Sequence, residues 1–216
     1  TNYHRYYINK MIINKEKDDK ILKYLKKNNK FKKVKKDKIN LYRISLFTNE
    51  INKIFKNNKI KILDVGVGNG KKTKIIQKLT NSNIYGTDIK EWGPYNSIKK
   101  FSFPFKFIEE NPYKIPYKNN IFDCITINLT LHHAEDIMKV INECKRILKK
   151  DGIIIIIEHD VWNDYDNMII DLQHRIYNYI FNENEVSKGD YYNYIEWDII
   201  FNRFDMVNIY NERITD

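Results

Sequence analysis

Two cysteines, four prolines and seven glycines are few for 216 residues. Two thiols exclude a disulfide-built scaffold, and neither Cys124 nor Cys144 stands at a spacing that ligates metal. Both lie inside apolar stretches, FDCITI and VINECKRIL, where a thiol serves as a small hydrophobe. A reducing, cytoplasmic setting is therefore expected. No run of 18 apolar residues is present, which excludes a membrane-spanning helix. The first residues are polar and lysine-rich, without the apolar centre of a secretory signal. What is there instead is a chain 42% hydrophobic and 31% charged, the balance of a soluble folded domain with a well-solvated surface.

Negative charge is scarce at one end. Residues 1–40 carry 14 Lys and Arg against 4 Asp and Glu, residues 41–150 carry 20 against 10, and residues 151–216 carry 4 against 14. The net charge of +10 thus comes from the first two-thirds of the chain. Such polarity fits a polyanion-binding arm attached to an ordinary domain. Lys, Asn, Ile and Tyr also abound throughout, as in the product of an AT-biased gene, and that bias supplies lysines without selection for binding.

The hydrophobic pattern divides the chain at residue 58. Residues 1–58 read as a basic, mostly helical N-terminal extension, with Ile44, Phe47, Ile51, Ile54 and Phe55 at helical spacing. Residues 59–216 read as the main domain, an alternation of strands and helices. Strands are expected at Ile60 to Val65, Ile84 to Thr87, Phe105 to Ile108, Phe122 to Leu129 and Ile153 to Ile157. Helices are expected at Lys71 to Leu79, Ala134 to Lys149 (stopped by Asp151-Gly152) and Met168 to Phe181. Five consecutive isoleucines suit a strand buried on both faces. The fold class is α/β, a doubly wound, mostly parallel sheet.

The segment Ile62-Leu63-Asp64-Val65-Gly66-Val67-Gly68-Asn69-Gly70 runs from a buried strand through three alternate glycines into a helix. Glycines let the backbone turn and let a ligand lie against it, and the helix start offers free N–H groups. A glycine-rich strand–helix turn alone belongs to many nucleotide folds. Asp64, two positions before the first glycine, would repel a pyrophosphate and tolerates a ligand with a cationic group. Asp88, 18 residues past Gly70 at the end of the next strand, stands where a carboxylate accepts both hydroxyls of a ribose.

Residues Lys59 to Glu158 resemble the class I S-adenosylmethionine-dependent methyltransferases, particularly the subgroup with the ubiquinone and menaquinone C-methyltransferases. ILDVGVGNG resembles the family's first motif and IYGTD its second. Asn111 through Ile115-Pro116-Tyr117 to Phe122-Asp123 resembles the third region, INLTLHH the end of strand four, and ECKRILKKDGIIIIIEHD the helix and strand that follow. The resemblance implies a Rossmann-like fold and S-adenosyl-L-methionine as cofactor. Asp64 and Gly66 would line its methionine end, Gly68 and Asn69 its loop, and Asp88 and Ile89 its ribose side. Asn111 would take the place of an Asp that accepts from the adenine amino group, and Asn128 would stand near the sulfonium. Val67, Asn69 and Pro112 depart from the family pattern, and Pro112 has no N–H for the adenine ring.

At the acceptor side, His132 and His133 follow strand four, and Glu158, His159 and Asp160 follow strand five. Strand ends face the crevice of a parallel sheet, so a general base is expected among His132, His133, Glu158 and His159. His174 and Asp171 share a face of the next helix. A metal site from His159, Asp160 and His174 is poorly specified by spacing, and none is assigned. The segment after strand four lacks the Asn/Asp-Pro-Pro-aromatic run of amino-adenine methylases.

These features give three functional readings: a methyltransferase that grips RNA with the lysines between Lys23 and Lys38, a methyltransferase for a small metabolite, and a non-catalytic RNA- or partner-binding subunit. RNA is the leading partner, and no membrane is expected. The resembling family closes its sheet with an antiparallel strand in the order 3-2-1-4-5-7-6. Asp205 to Tyr210 fits strand six and leaves few residues after it. The expectation is a chain that lacks a full seventh strand, leaves the sheet edge short or was cut from a longer protein, with strand five covered by strand six, a helix or a protein partner.

Overall fold

The computed structural model describes residues 4–8, 38–56, 58–89, 101–108, 113–181 and 191–211. Seven strands are present among them: β1 (His4–Ile8), β2 (Lys61–Val65), β3 (Asn83–Ile89), β4 (Phe105–Ile108), β5 (Phe122–Asn128), β6 (Leu148–Ile157) and β7 (Met206–Asn211). They form one sheet in the order β4-β3-β2-β5-β6-β1-β7, and every neighbouring pair is parallel.

Period-two alternation assigns each strand residue to one of two cores. Leu63, Val65, Ile125, Ile127, Ile154 and Ile156 face one side of the sheet, while Ile62, Cys124, Ile153, Ile155 and Ile157 face the other. The isoleucine run is therefore shared between both faces, as a strand covered by helices on each side requires. Helices α1 (Lys38–Phe55) and α2 (Lys71–Thr80) cover the second face through Ile44, Phe47, Ile51, Ile75 and Ile76. Helices α3 (Ile137–Ile147) and α5 (Tyr194–Asn202) cover the first through Ile141, Cys144, Ile147, Trp197 and Phe201. Helix α4 (Asp164–Phe181) follows β6. The C-terminal part of the lead-in, α1, is thus packed into the same core as Ile60 and Ile62.

Three local features differ from expectation. Helix α3 starts at Ile137, because the Asp136 side chain accepts from Lys139 N and caps it, while Leu131–His133 forms a separate 3-10 turn. Asp151-Gly152 does not end that helix. It sits inside β6, at a register shift where Phe122 pairs with Leu148 and Cys124 with Ile153, and Asp151 takes a positive φ of 61°.

The third difference is the sheet edge. The chain does build seven strands, contrary to the expected shortfall, and residues before α1 supply the extra one, a strand that the mostly helical reading of the lead-in left out. β1 lies between β6 and β7 and pairs Arg5 to Ile8 with Ile153 to Ile156. Strand five of the expected order, β6, thus has β1 of the same chain as its neighbour, in the place expected for strand six, a helix or another chain. A strand arriving from the N-terminus is not tied to β7 by a hairpin, so it can run parallel where the family pattern is antiparallel.

β1 is an interior strand, and its backbone groups are needed on both sides. Tyr6→Pro removes a ladder donor there. The substitution should cost about 1–3 kcal/mol, read as a fall in thermal midpoint of roughly 2–4 °C per kcal/mol. An unchanged midpoint would contradict this topology.

Candidate functional site

The chain order reverses beside β2: β3 and β4 lie on one side of it, and β5 and β6 on the other. Ligands of open parallel sheets bind outside the strand C-termini at this switch point. The glycine loop, Asn128 and the His132 turn all stand there.

Asp64 anchors the loop. It lies opposite Thr126 in the β2–β5 register, so both side chains project from the same face. Its carboxylate accepts from Thr126 Oγ1 at 2.8 Å and from Thr73 Oγ1, in the first turn of α2, at 2.5 Å. Asp64 is only 5% exposed. Burial pushes its carboxyl up from 3.8 to about 6, against the pull of the two threonines and Lys72, and the nearby Asp88 adds to the rise. The folded protein therefore holds a proton on Asp64 that the unfolded chain lacks between about pH 4 and 6. On this account stability falls as pH rises through that window.

The loop after Asp64 requires its glycines at two positions. Gly66 has φ 78°, and a Cβ there would overlap the Thr130 side chain; Gly70 has φ 71°, and a Cβ would overlap the ring of Phe101. Gly68, with φ 52°, faces open space instead, so its surface is bare to a ligand. Its N–H donates to Asp88 Oδ2 at 2.6 Å, and Ile89 N donates to Asp88 Oδ1 at 2.9 Å. Asp88 is 8% exposed, and burial raises its carboxyl despite those two donors. Asn69 accepts from Lys71 N and fixes the start of α2. Two buried carboxylates on one glycine loop favour a ligand with positive charge and hydroxyl donors.

Asn128 ends β5 and is 9% exposed, with its Nδ2 buried and without a hydrogen-bond partner among the described residues. A buried amide donor left unpaired costs roughly 1–3 kcal/mol, which an acceptor on a ligand would relieve. The cofactor-side residues Asp64, Gly66, Gly68, Asn69, Asp88, Ile89 and Asn128 are thus brought to one rim. Asn111 lies outside the described residues, as do Pro112 and the lysines from Lys23 to Lys36.

The acceptor-side residues form a second polar centre. Glu158 Oε2 meets His132 Nδ1 at 2.5 Å, and Oε1 accepts from Thr130 N and Leu131 N, both at 2.6 Å. The two side chains are each 2% exposed. Burial alone would raise the Glu158 carboxyl, but the charge and hydrogen bond of His132, with His159 and the Thr130 N–H, hold it below the usual range. With a contact on each oxygen, Glu158 is a clamp on the His132 turn. Burial, reinforced by His132, pushes the His133 imidazole down to about 3, so that ring is neutral at physiological pH. His159 stands edge-on to His132, with ring centres 4.9 Å apart.

Several residues of the site escaped the sequence reading. Thr126 needed the strand register. Thr73, three residues past the last glycine, was open to recognition as a first-turn donor. Tyr191, whose hydroxyl meets His174 Nδ1 at 2.7 Å, lies in a stretch to which the sequence reading assigned no element. Asp160 turns to Tyr194 N, at 3.1 Å, and secures the start of α5 rather than joining His159 and His174.

Comparison with known proteins gives the same picture. Residues 63–156 match the family described as a methyltransferase domain. A sterol 24-C-methyltransferase of Gibberella zeae is 32% identical over 113 residues, covering 50% of this chain and 30% of that protein. A mitochondrial arginine-hydroxylase of Mus musculus is 30% identical over 93 residues, covering 43% of this chain and 27% of that protein. A demethylmenaquinone methyltransferase of Thermotoga maritima is 28% identical over 108 residues, covering 47% and 44%. The chain therefore spans less than half the length of each of these relatives. Among solved structures, the YcgJ protein of Bacillus subtilis superposes with a TM-score of 0.53 at 20% identity, over 72% of this chain and 67% of that one, which shows the shared fold. Residues 63–156, which hold the glycine loop, both strand-end carboxylates and most of the doubly wound sheet, thus match a methyltransferase domain.

Proposed function

We propose that this protein transfers a methyl group from S-adenosylmethionine to RNA held by its basic lead-in. The cofactor reading is carried by the pairing of Asp64 and Asp88 across the Gly68 loop. When bound, the cofactor supplies an electrophilic methyl on a sulfonium, and the chain's own residues are suited to hold it. Asp64 offers negative charge to the cationic methionine end, and Asp88 offers acceptor oxygens to the ribose. Gly68 leaves the backbone bare, and Asn128 has a free donor. His133, kept neutral by burial, can accept a proton only weakly, so positioning carries more of the reaction than general base catalysis does.

The acceptor reading rests on charge. Fourteen basic against four acidic residues in the first 40 suit a polyanion, with several lysines available to neutralise phosphates. A small-metabolite acceptor is the second reading, favoured by the names of relatives that act on a sterol and on demethylmenaquinone. Transfer of labelled methyl into total RNA and into a small-molecule extract, run side by side, separates the two. Label in RNA, with RNA affinity that falls steeply as salt rises, supports the first. Label confined to the extract, with a flat salt response, supports the second. Label in neither, from a protein that binds the cofactor, supports a non-catalytic role.

Two further outcomes follow from the loop. Asp88→Ala should weaken S-adenosylhomocysteine binding by roughly 1.5–3 kcal/mol in calorimetry, the worth of hydrogen bonds to a charged group. A cationic ligand favours ionised Asp64, so affinity should drop as pH falls through about 6, by up to roughly tenfold per pH unit. Asp64→Asn should flatten that profile. An equally steep decline in the variant would assign the titration to another group.

A further inference from the structure

Four of the chain's five histidines gather where β5, β6 and α4 meet. We propose that His132, His159 and His174 form a binding site for a divalent transition-metal ion of the zinc class, with Glu158 and Tyr191 orienting two of the rings. One ligand-capable nitrogen from each of the three lies within 4.8 Å of the others. A tetrahedral zinc with bonds of about 2.0–2.1 Å holds its ligands roughly 3.4 Å apart, so the side chains draw in by a little over an ångström on binding.

The buried polar atoms give this grouping its meaning. His132 is 2% exposed, its Nδ1 is bound to Glu158, and its Nε2 is buried with no hydrogen-bond partner among the described residues. The Glu158 carboxylate accepts from Nδ1, so in the neutral imidazole Nε2 presents a lone pair that nothing among the described residues satisfies. This is the carboxylate–histidine arrangement that aims an imidazole at a metal. His174 also has its Nδ1 engaged, 2.7 Å from the Tyr191 hydroxyl, which fixes the orientation of its ring. Its ring lies nearly parallel to that of His132, with centres 5.2 Å apart, and His159 stands edge-on to both.

Imidazole donors suit zinc, copper, nickel and iron rather than magnesium or calcium. Three protein ligands leave a fourth position open, the pattern of a catalytic rather than a structural zinc. The site lies on the rim that also carries Asn128, because His132 and His159 follow the C-terminal ends of β5 and β6. There the ion would act as a Lewis acid toward an oxygen of the acceptor. That use rests on the methyl-transfer reading, whereas binding of the ion does not.

The test uses the full chain, stripped of metal by chelator and titrated with Zn²⁺ by calorimetry and with Co²⁺ by visible absorption. The expected result is one ion per chain and the intense visible bands of tetrahedral, nitrogen-ligated Co²⁺. His159→Ala and His174→Ala should each lose at least tenfold in affinity, and Tyr191→Phe about 10–100-fold, the usual effect of removing the group that orients a ligating histidine. Thermal unfolding without metal checks that each variant is folded, and the wild-type cobalt spectrum stands on its own if one is not. Absence of zinc binding, a weak octahedral cobalt spectrum, or unchanged affinity in His159→Ala and His174→Ala would overturn the proposal. Metal binding without methyl transfer would retain the site and remove only its Lewis-acid use.

Discussion

A carboxylate buried at the end of the central strand is the constraint around which the loop is arranged. Asp64 keeps its place because Thr126 reaches it from β5 and Thr73 from the first turn of α2. Hydrogen bonds to a charged group contribute roughly 1.5–3 kcal/mol each, yet burial still wins and leaves the carboxyl near 6. These two contacts tie the register of β2 and β5 to the start of a helix. The chain between must turn within a few residues, and it does so through three glycines of positive φ. The strain of burying charge is thus held where a cationic ligand would relieve it.

The parallel sheet explains why two polar centres share one rim. Every strand runs the same way, so the residues after β2, β3, β5 and β6 all emerge on the same edge. Asp64 and Asp88 follow from the first pair, and Asn128, His132 and Glu158 from the second. Glu158 links the second pair by taking the Thr130 and Leu131 N–H groups, which fixes the turn that carries His132. At the far side β1 fills the position between β6 and β7, so the isoleucine strand is an interior one.

Much of this was legible because it is local. The strand–glycine–helix run, Asp88 at a strand end and the two-faced isoleucine strand follow from neighbouring residues and from period two. Failures came where a distant partner decides. His4–Ile8 becomes a strand only because β6 and β7 offer it two ladders, and nothing in HRYYI announces that pairing. Asp151-Gly152 looks like a helix stop, but the register of β5 draws it into a bulge. The spacing of His159, Asp160 and His174 specified no site, whereas the 3-10 turn brings His132 beside the other two histidines from after another strand, and Asp160 accepts from Tyr194 N.

The account depends on the glycine loop being a cofactor cradle, and a crystal structure of the chain with S-adenosylhomocysteine tests that most directly. It predicts the ribose hydroxyls against Asp88, the methionine end over Gly66 and Asp64, and a ligand acceptor on Asn128 Nδ2. A cofactor bound away from this loop, or crystals grown at saturating ligand with the loop empty, would contradict it.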